Sequence, residues 1–167
     1  MAFFFHMNQR IYNYSLHLLA RQDYSEYKLK KKLLSKPDNT IEEVNEVIEK
    51  LLEKKLLNEE NYKRLFIKKW IYKGESFSKI SMRGKAEKLE IFLEDFQAIE
   101  EEMGIKEEDS LESLIHKKLR SKVIPNEFPQ RQKLKEKVLR FLISKGHDYS
   151  DAKDGIEKYF KNGKAED

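Results

Sequence analysis

The 167-residue sequence contains no cysteine, only three prolines and only six glycines. The absence of cysteine excludes disulfide bonds and thiolate metal sites. The scarcity of proline and glycine leaves few breaks in regular backbone structure. No apolar run approaches the roughly 20 residues that a membrane-spanning helix needs. The apolar start, Met1-Ala-Phe-Phe-Phe-His6, is too short for the core of a signal peptide, so we expect a cytoplasmic protein that makes no contact with membranes.

Charge is abundant: 34 basic and 30 acidic residues give a net charge of +4, and hydrophobic residues make up 39% of the chain. This balance predicts a folded protein with a densely charged surface, and it permits an anionic partner. Lys, Glu and Leu, which are all good helix formers, dominate the sequence. Apolar residues recur with a helical period along nearly every long segment, so the sequence predicts an all-α fold.

Three segments share one apolar spacing of 3, 4 and 3 residues. They are Ile41, Val44, Ile48 and Leu51, then Leu89, Phe92, Phe96 and Ile99, and finally Tyr149, Ala152, Ile156 and Tyr159. Each segment follows two other predicted helices, which makes an internal repeat of three helices. The predicted helices are 8–22, 25–36 and 40–56; 59–73, 77–88 and 89–103; and 108–121, 130–145 and 149–161. The third repeat is longer, and we place its extra residues in the Pro125–Pro129 loop and in its middle helix.

The predicted organisation is three tandem three-helix repeats that form an elongated, curved array. The boundaries are an N-terminal tail at 1–7, repeats at 8–57, 58–105 and 106–162, and a C-terminal tail at 163–167. One such repeat is too small to bury much apolar surface alone, and stacking neighbours would extend its core. The sequence alone also leaves open a collapse of the repeats into a single globule.

Charge sorts by helix position. Acidic residues concentrate in the third helices of the first two repeats, whereas basic residues concentrate in 28–36, 62–73 and 130–145. If the repeats stack, a basic face would run along the molecule, and such a face suits a long anionic partner such as nucleic acid or a nucleoprotein filament. The alternative is an ordinary solvated surface. Tyr62, Phe66 and Trp70 lie on one helix face, where core packing is favoured over base stacking.

The candidate residues for contact with a filament or with DNA are the cations of these helices. They are Arg21, Lys28, Lys30, Lys31, Lys32, Lys63, Arg64, Lys68, Lys69, Lys73, Lys117, Lys118, Arg131, Lys133, Lys135, Lys137, Arg140 and Lys145.

Patterns of catalysis and metal binding are missing. The four histidines stand far apart without acidic partners at ligand spacing, and no glycine-rich phosphate loop or nucleophile–base pair is visible. Gly74, Gly104 and Gly146 lie near predicted helix ends, where glycine caps helices. We therefore expect a binding protein that is not an enzyme and that needs no metal or cofactor.

Several blocks of the chain resemble a known family. Leu18-Leu19-Ala20-Arg21-Gln22-Asp23-Tyr24-Ser25-Glu26-Tyr27-Lys28-Leu29, with Lys32-Leu33 and the stretch 41–57, resembles the first repeat of the bacterial RecX regulatory proteins. Asn58-Glu59-Glu60-Asn61-Tyr62, through Phe66 to Lys73-Gly74, resembles their second repeat. Lys133-Leu134 and Arg140-Phe141-Leu142-Ile143-Ser144-Lys145-Gly146 resemble the third. The resemblance spans about 10–160.

The resemblance implies three tandem three-helix repeats. It also implies an activity: binding the RecA recombinase and its filament on DNA, and limiting filament growth and strand exchange. We further expect a monomer that reduces ATP hydrolysis by RecA and acts in recombination, DNA repair and the SOS response, with single- or double-stranded DNA as a further candidate partner. Two other functions stay open on the residues alone, a helical DNA-binding protein that acts without a recombinase and a helical scaffold for another protein. An affinity for duplex with sequence preference would favour the first, and indifference to reversal of Lys30, Lys31 and Lys32 would favour the second.

The sequence departs from the family pattern at three places. Lys28 occupies the position where a glutamate would close a capping box, so we expect Asp23 with Glu26 as an alternative cap. Gly84 stands where a core leucine is usual, and Lys88 stands where glycine is usual. We therefore expect the second repeat to be the least regular, with a short, bent or shifted middle helix.

Overall fold

The computed structural model describes residues 8–105 and 107–162, and these residues form nine α-helices and no strand, which confirms the all-α prediction. The Phe3-Phe4-Phe5 tail and the predicted C-terminal tail fall outside the described residues. The helices are α1 (Gln9–Leu19), α2 (Glu26–Leu34), α3 (Ile41–Glu53), α4 (Glu59–Tyr72), α5 (Phe77–Ala86), α6 (Leu93–Met103), α7 (Glu107–Leu119), α8 (Phe128–Ser144) and α9 (Tyr149–Asn162).

Helices α1 to α3 share one apolar core. Buried residues from all three helices meet there: Ile11, Tyr12, Leu29, Leu33, Val44, Val47, Ile48, Leu51 and Leu57. The capping box at Thr40 and Glu43 starts α3 as the sequence predicts, because each side chain accepts a hydrogen bond from the backbone N–H of the other residue. Asn8 ties α1 to this cap by donating to Glu43 Oε1 at 2.8 Å.

Helices α7 to α9 form a second core of the same kind. Its buried residues are Ile115, Leu119, Val138, Leu142, Ala152, Ile156 and Phe160. Gly155 of α9 allows α9 and α7 to approach each other closely, because a Cβ atom on Gly155 would lie 3.0 Å from Cδ1 of Ile115 in α7. Helix α8 has 17 residues against 9 in α2 and 10 in α5, so the extra length of the third repeat lies largely in its middle helix, as expected.

The chain divides into two compact units. One unit runs to Phe66 and includes Lys85–Leu89, and the other contains Ile67–Gly84 and the chain from Glu90 onward. The division therefore falls within α4. The elongated, curved arrangement of three repeats stays a prediction, as do the repeat boundaries.

Two predicted helix starts are wrong. Helix α6 begins at Leu93 instead of residue 89, because Lys88 has a φ of 59° and Phe92 is extended. The carboxylate of Asp95 accepts a hydrogen bond from Phe92 N at 2.9 Å and caps this start. Helix α8 begins at Phe128, and Pro129 lies in its first turn instead of in the preceding loop. Proline suits that place because a first-turn N–H has no partner within the helix.

The 3-4-3 spacing predicts buried side chains at positions where the structure leaves some exposed, above all at the start of each set. Ile41 and Tyr149 are the first residues of their helices and are 57% and 58% exposed. In the second repeat, Leu89 is buried but lies outside α6, and Phe92 is 58% exposed. A first-turn side chain has no preceding turn of its own helix to pack beside, so periodicity alone does not bury it.

Three glycines lie just beyond helix ends, as the sequence predicts. Gly74, Gly104 and Gly146 have φ values of 72°, 65° and 88°, the left-handed conformation that ends a helix. Helix α5, with 10 residues, is no shorter than α2, with 9, and it continues through the buried Gly84. The alternative cap at Asp23 is wrong: α2 begins at Glu26, and the Ser25 hydroxyl accepts from Lys28 N at 3.2 Å.

Candidate nucleic-acid interface

Helix α2 buries one face and leaves a row of lysines on the other. Leu29 and Leu33 are fully buried. Lys31 and Lys32 are exposed and Lys30 is half-buried. Among the described residues, these three lysines form no ion pair, and the Lys31 ammonium lies 6.0 Å from the centre of the Tyr27 ring. Their charges are therefore available to an anionic partner.

Lys28, on the same helix, is committed to contacts inside the protein. Its ammonium lies 2.8 Å from Glu87 Oε1 and donates to Tyr62 Oη at 3.0 Å, while Tyr62 donates to Glu87 Oε2 at 2.9 Å. Burial alone would lower the pKa of Lys28, but the hydrogen bonds with Glu87 and Tyr62 outweigh it, and the pKa is raised. Lys28 thus links α2 to α4 and to the residues that follow α5.

The cations of α8 divide in the same way. Lys135 donates to both carboxylate oxygens of Glu157 at 2.7 Å, and Arg131 Nη2 donates to the Phe160 carbonyl oxygen at 2.7 Å. The hydrogen bond from Lys135 lowers the pKa of Glu157. Both cations therefore hold α9 in place.

Three other cations of α8 face solvent. Lys133, Lys137 and Arg140 are exposed, and their spacing of four and three residues places them on one helix face. Among the described residues none of the three forms an ion pair. They constitute the most continuous outward row of positive charge on α8.

Helices α2 and α8 share one register of buried and outward residues. Leu29 and Leu33 are buried in α2, and Val138 and Leu142 are buried at the same spacing in α8. With these pairs aligned, 28–36 matches 137–145: Lys28 with Lys137, Lys31 with Arg140, and Leu33-Leu34-Ser35-Lys36 with Leu142-Ile143-Ser144-Lys145. The outward cation at the position of Lys31 is therefore present in both helices.

Helix α5 follows the same register without that cation. Ile80 and Gly84 are its buried pair, and Met82, which is 64% exposed, stands where α2 has Lys31 and α8 has Arg140. The middle repeat therefore lacks the exposed cation that its two neighbours share. The basic residues of α5 are Lys79, Arg83 and Lys85, at other positions of the helix, and further cations lie on α4.

Two predicted cations at the end of α4, one in its last turn and one just beyond it, are open to solvent. Lys69 and Lys73 are exposed, with their ammonium groups 5.3 and 4.6 Å from the Trp70 ring. Lys68 is paired with Glu102 at 2.6 Å, and Lys63 lies 3.2 Å from Glu60. Arg64 is exposed, as is Arg21 in the turn after α1.

The end of α7 brings cations close to an aromatic ring of α8. Lys118 and Lys145 lie 4.3 and 5.8 Å from the centre of the Phe141 ring, and Lys117 is exposed. Arg120 and Lys122, which the sequence analysis did not select, are exposed in the following turn. Their clustering after Lys117-Lys118 was visible as a run of four basic residues within six positions.

The aromatic residues of α4 differ in how far they are buried. Tyr62 and Phe66 are buried, at 9% and 7% exposure, which confirms core packing over base stacking for both. Trp70 is half-buried, and the Arg83 guanidinium lies 4.0 Å from the centre of its ring. Arg83 also forms a two-point ion pair with the buried Glu75, at 2.6 and 2.9 Å. Tyr72 is 80% exposed.

The start of α5 contacts the end of α8, which the sequence did not predict. The first turn of α5 meets the last turn of α8: Ser76 Oγ donates to the Gly146 carbonyl oxygen at 2.7 Å, Ser76 N donates to the Lys145 carbonyl oxygen at 3.0 Å, and Lys79 donates to the Ser144 carbonyl oxygen. Its signal in the sequence is the Ser-x-x-Lys spacing of Ser25–Lys28 and Ser76–Lys79, in the same register relative to the buried pair. In the first compact unit Lys28 likewise reaches Glu87, just beyond α5.

Helix α3 carries a row of glutamates, and therefore negative charge, on its outer side. Glu42, Glu46, Glu49 and Glu53 recur at spacings of four, three and four residues, on the side of the helix away from Val44, Val47, Ile48 and Leu51. This acidic row repels a nucleic-acid backbone. An anionic partner would therefore meet the first repeat on α2 and avoid α3.

Other kinds of site find no support in the described part of the chain. No group of three His, Asp or Glu side chains there is arranged to hold a metal ion. No helix in 8–105 or 107–162 is long and apolar enough to cross a membrane.

Comparison with known families covers the first three helices. Residues 12–54 match the family model described as RecX, first three-helix domain. The first three helices are thus similar to a RecX domain. The matched residues contain α2 and α3 entirely and all but the first residues of α1, so they include the lysines of α2 and the acidic row of α3. The resemblance of the first repeat to the RecX family is thereby confirmed. No curated protein matches the chain.

Proposed function

We propose that this protein is a RecX-like regulator that binds a RecA recombinase and its filament on DNA, and that it inhibits ATP hydrolysis and strand exchange in recombination and DNA repair. The observation that carries the proposal is the similarity of residues 12–54 to the first three-helix domain of RecX. The protein acts in the cytoplasm as a monomer, by binding alone; it needs no cofactor and catalyses no reaction.

The distribution of cations supports a long anionic partner. Outward positive charge recurs at equivalent positions of α2 and α8, at Lys31 and Arg140, and further exposed cations flank both. A nucleoprotein filament offers repeated negative charge along its length, and neutralising that charge releases counterions. The acidic row of α3 limits the orientations in which the protein can approach such a filament.

The proposal is tested by binding to preformed filaments. Wild-type protein should bind a cognate RecA filament on single-stranded DNA more tightly than it binds the bare strand, with an affinity that falls as salt rises. The variant Lys133→Gln/Lys137→Gln/Arg140→Gln should bind more weakly, with a salt slope shallower by up to about 2 to 3, since each lost phosphate contact removes roughly 0.7–0.9.

The matched control removes three charges of the other sign. Glu42→Gln/Glu46→Gln/Glu49→Gln changes the acidic row of α3 and should not weaken binding. No binding of the wild type to the filament, or tight binding to bare duplex with a clear sequence preference, would contradict the proposal. The second result would favour a DNA-binding protein that acts without a recombinase.

A further inference from the structure

Tyr72 is an exposed aromatic residue within a basic stretch of helix. It lies at the last position of α4 and is 80% exposed, whereas Tyr62 and Phe66 of the same helix are buried. A large aromatic ring gains nothing for the fold while it stands in water. Its exposed ring face is instead available to another flat, apolar group.

A groove lies directly beside this ring. It has a volume of about 360 Å³ and is lined by Ile71, Tyr72, Gly74, Ile105, Leu114 and Lys117, among others, all of which belong to the second compact unit. That volume is within the roughly 300–1,000 Å³ of pockets that hold small organic groups. Its walls combine an aromatic face and aliphatic side chains with one cation.

Two glycines shape the groove. A Cβ atom on Gly74 would lie 2.4 Å from Leu114 Cδ2, so glycine lets α7 approach the end of α4 closely. Around Gly104, which is also part of the lining, a Cβ atom would meet nothing within 4 Å. The groove is therefore closed at its floor by the contact at Gly74 and open beside Gly104.

Three cations lie close to the Tyr72 ring: Lys69 and Lys73 are near it in the sequence, and Lys117 lines the groove. Lys69, Lys73 and Lys117 are exposed, and none of them forms an ion pair among the described residues. Lys68, by contrast, is paired with Glu102 at 2.6 Å. Exposed aromatic rings surrounded by cations are the combination by which proteins bind single-stranded nucleic acid, since bases stack on the rings and the cations contact the phosphates.

We propose that Tyr72 and this groove form a stacking site for a base of single-stranded nucleic acid, with Lys69, Lys73 and Lys117 contacting the adjacent phosphates. The inference deepens the proposed function and rests on it for its biological setting, but it can be tested without a recombinase. A duplex keeps its bases stacked inside and cannot occupy the site in this way. The site therefore discriminates single strands from duplexes.

The test is the affinity of the full chain for a labelled oligothymidine strand and for a duplex of the same length, measured by fluorescence anisotropy. Tyr72→Ala should weaken single-strand binding at least about fivefold, as expected for the loss of one stacked base, and leave duplex binding within twofold. Tyr72→Phe keeps the ring and should stay within twofold of the wild type on both. Lys73→Gln should reduce the salt slope on the single strand by about 0.7.

Phe128→Ala is the matched control, because Phe128 is 78% exposed and lies outside this groove; it should leave single-strand affinity unchanged. Equal thermal unfolding of all variants excludes misfolding. Unchanged single-strand binding by Tyr72→Ala, or an equal loss on duplex, would overturn the inference. So would a loss of recombinase binding alone, which would make the groove a protein site. If Tyr72-dependent binding of single strands persists while filament binding fails, the stacking site stands and the proposed function falls.

Discussion

At the scale of single residues, two lysines adopt a backbone conformation that favours glycine. Among the described residues, Lys55 and Lys88 are the non-glycine residues with positive φ, at 56° and 59°. Lys88 aligns with Gly146 when the buried pairs of α5 and α8 are matched, and Gly146 has a φ of 88°. Lys88 stands where the RecX family pattern usually has glycine, and its positive φ is the physical reason.

Replacing this lysine should stabilise the protein. A left-handed residue with a Cβ atom is strained by about 1–2 kcal/mol, and glycine loses part of that gain to its freer unfolded chain. Lys88→Gly should therefore raise the free energy of unfolding by about 0.5–1 kcal/mol in urea titrations. Lys32→Gly, in the interior of α2, should lower it by about 1 kcal/mol. A loss of stability in Lys88→Gly would contradict the assigned backbone conformation.

Glu59 provides a prediction of pH dependence. Burial raises the pKa of its carboxyl group, although the group accepts a hydrogen bond from Glu26 N at 2.8 Å. The folded state therefore binds the proton more tightly than the unfolded state, so this group stabilises the fold most below its unfolded pKa and loses that contribution as pH rises through its folded pKa. At neutral pH the charged carboxylate is a burden to the fold.

Glu59→Gln should consequently be more stable than the wild type at pH 7, and the difference should shrink as pH falls toward about 4. Urea unfolding at several pH values measures it. Glu60→Gln is the comparison, since it removes the same charge from the neighbouring position, where the side chain is 82% exposed. A difference for Glu59→Gln that grows as pH falls would show that the sign is wrong.

At the scale of helices, the ends of α5 and α8 contact each other. The first turn of α5 carries N–H groups without partners inside the helix, and the last turn of α8 carries carbonyl groups in the same condition. Ser76 N and Ser76 Oγ meet the carbonyl oxygens of Lys145 and Gly146 directly. The two helix dipoles also attract each other where the positive end of one faces the negative end of the other.

Two glycines test this contact. A Cβ atom on Gly146 would lie 2.5 Å from Ser76 Oγ and 2.8 Å from Lys79 Cβ, whereas one on Gly104 would meet nothing within 4 Å. Both residues have positive φ, so alanine strains the backbone in both by about 1 kcal/mol. Gly146→Ala should lower the free energy of unfolding by clearly more, about 2–4 kcal/mol, because α5 must also shift. Equal losses in the two variants would show that α5 does not rest on α8 here.

Most of the helices could be predicted from the sequence, because apolar periodicity and polar caps are local signals. The start of α6 could not, since lysine rarely adopts the left-handed conformation of Lys88. The sequence prediction starts α8 two residues late because it assigns Pro129 to the loop, although proline is common in the first turn of a helix. Among the cations, the row at Lys133, Lys137 and Arg140 follows from helical spacing. The inward roles of Lys28 and Lys135 depend on Glu87 and Glu157, which lie far away in the sequence.

At the scale of the whole molecule, helices α2 and α8 combine a similar pair of buried residues with an outward cation on the opposite side of the helix. Leu29 and Leu33 in α2 match Val138 and Leu142 in α8, and each pair leaves a cation on the far side of its helix. A repeated scaffold with repeated charge suits a partner that is itself a repeating polymer. The similarity of residues 12–54 to the first three-helix domain of RecX is the reason that we propose a RecA filament as this polymer.

The most direct test of the proposed function is ATP hydrolysis by the cognate RecA on single-stranded DNA, with this protein titrated in and strand exchange followed in parallel. We predict that both activities fall in a dose-dependent way, and that Lys133→Gln/Lys137→Gln/Arg140→Gln needs a higher concentration for the same effect. No change in hydrolysis or strand exchange over a wide range of concentrations would contradict the proposal that this protein regulates a recombinase.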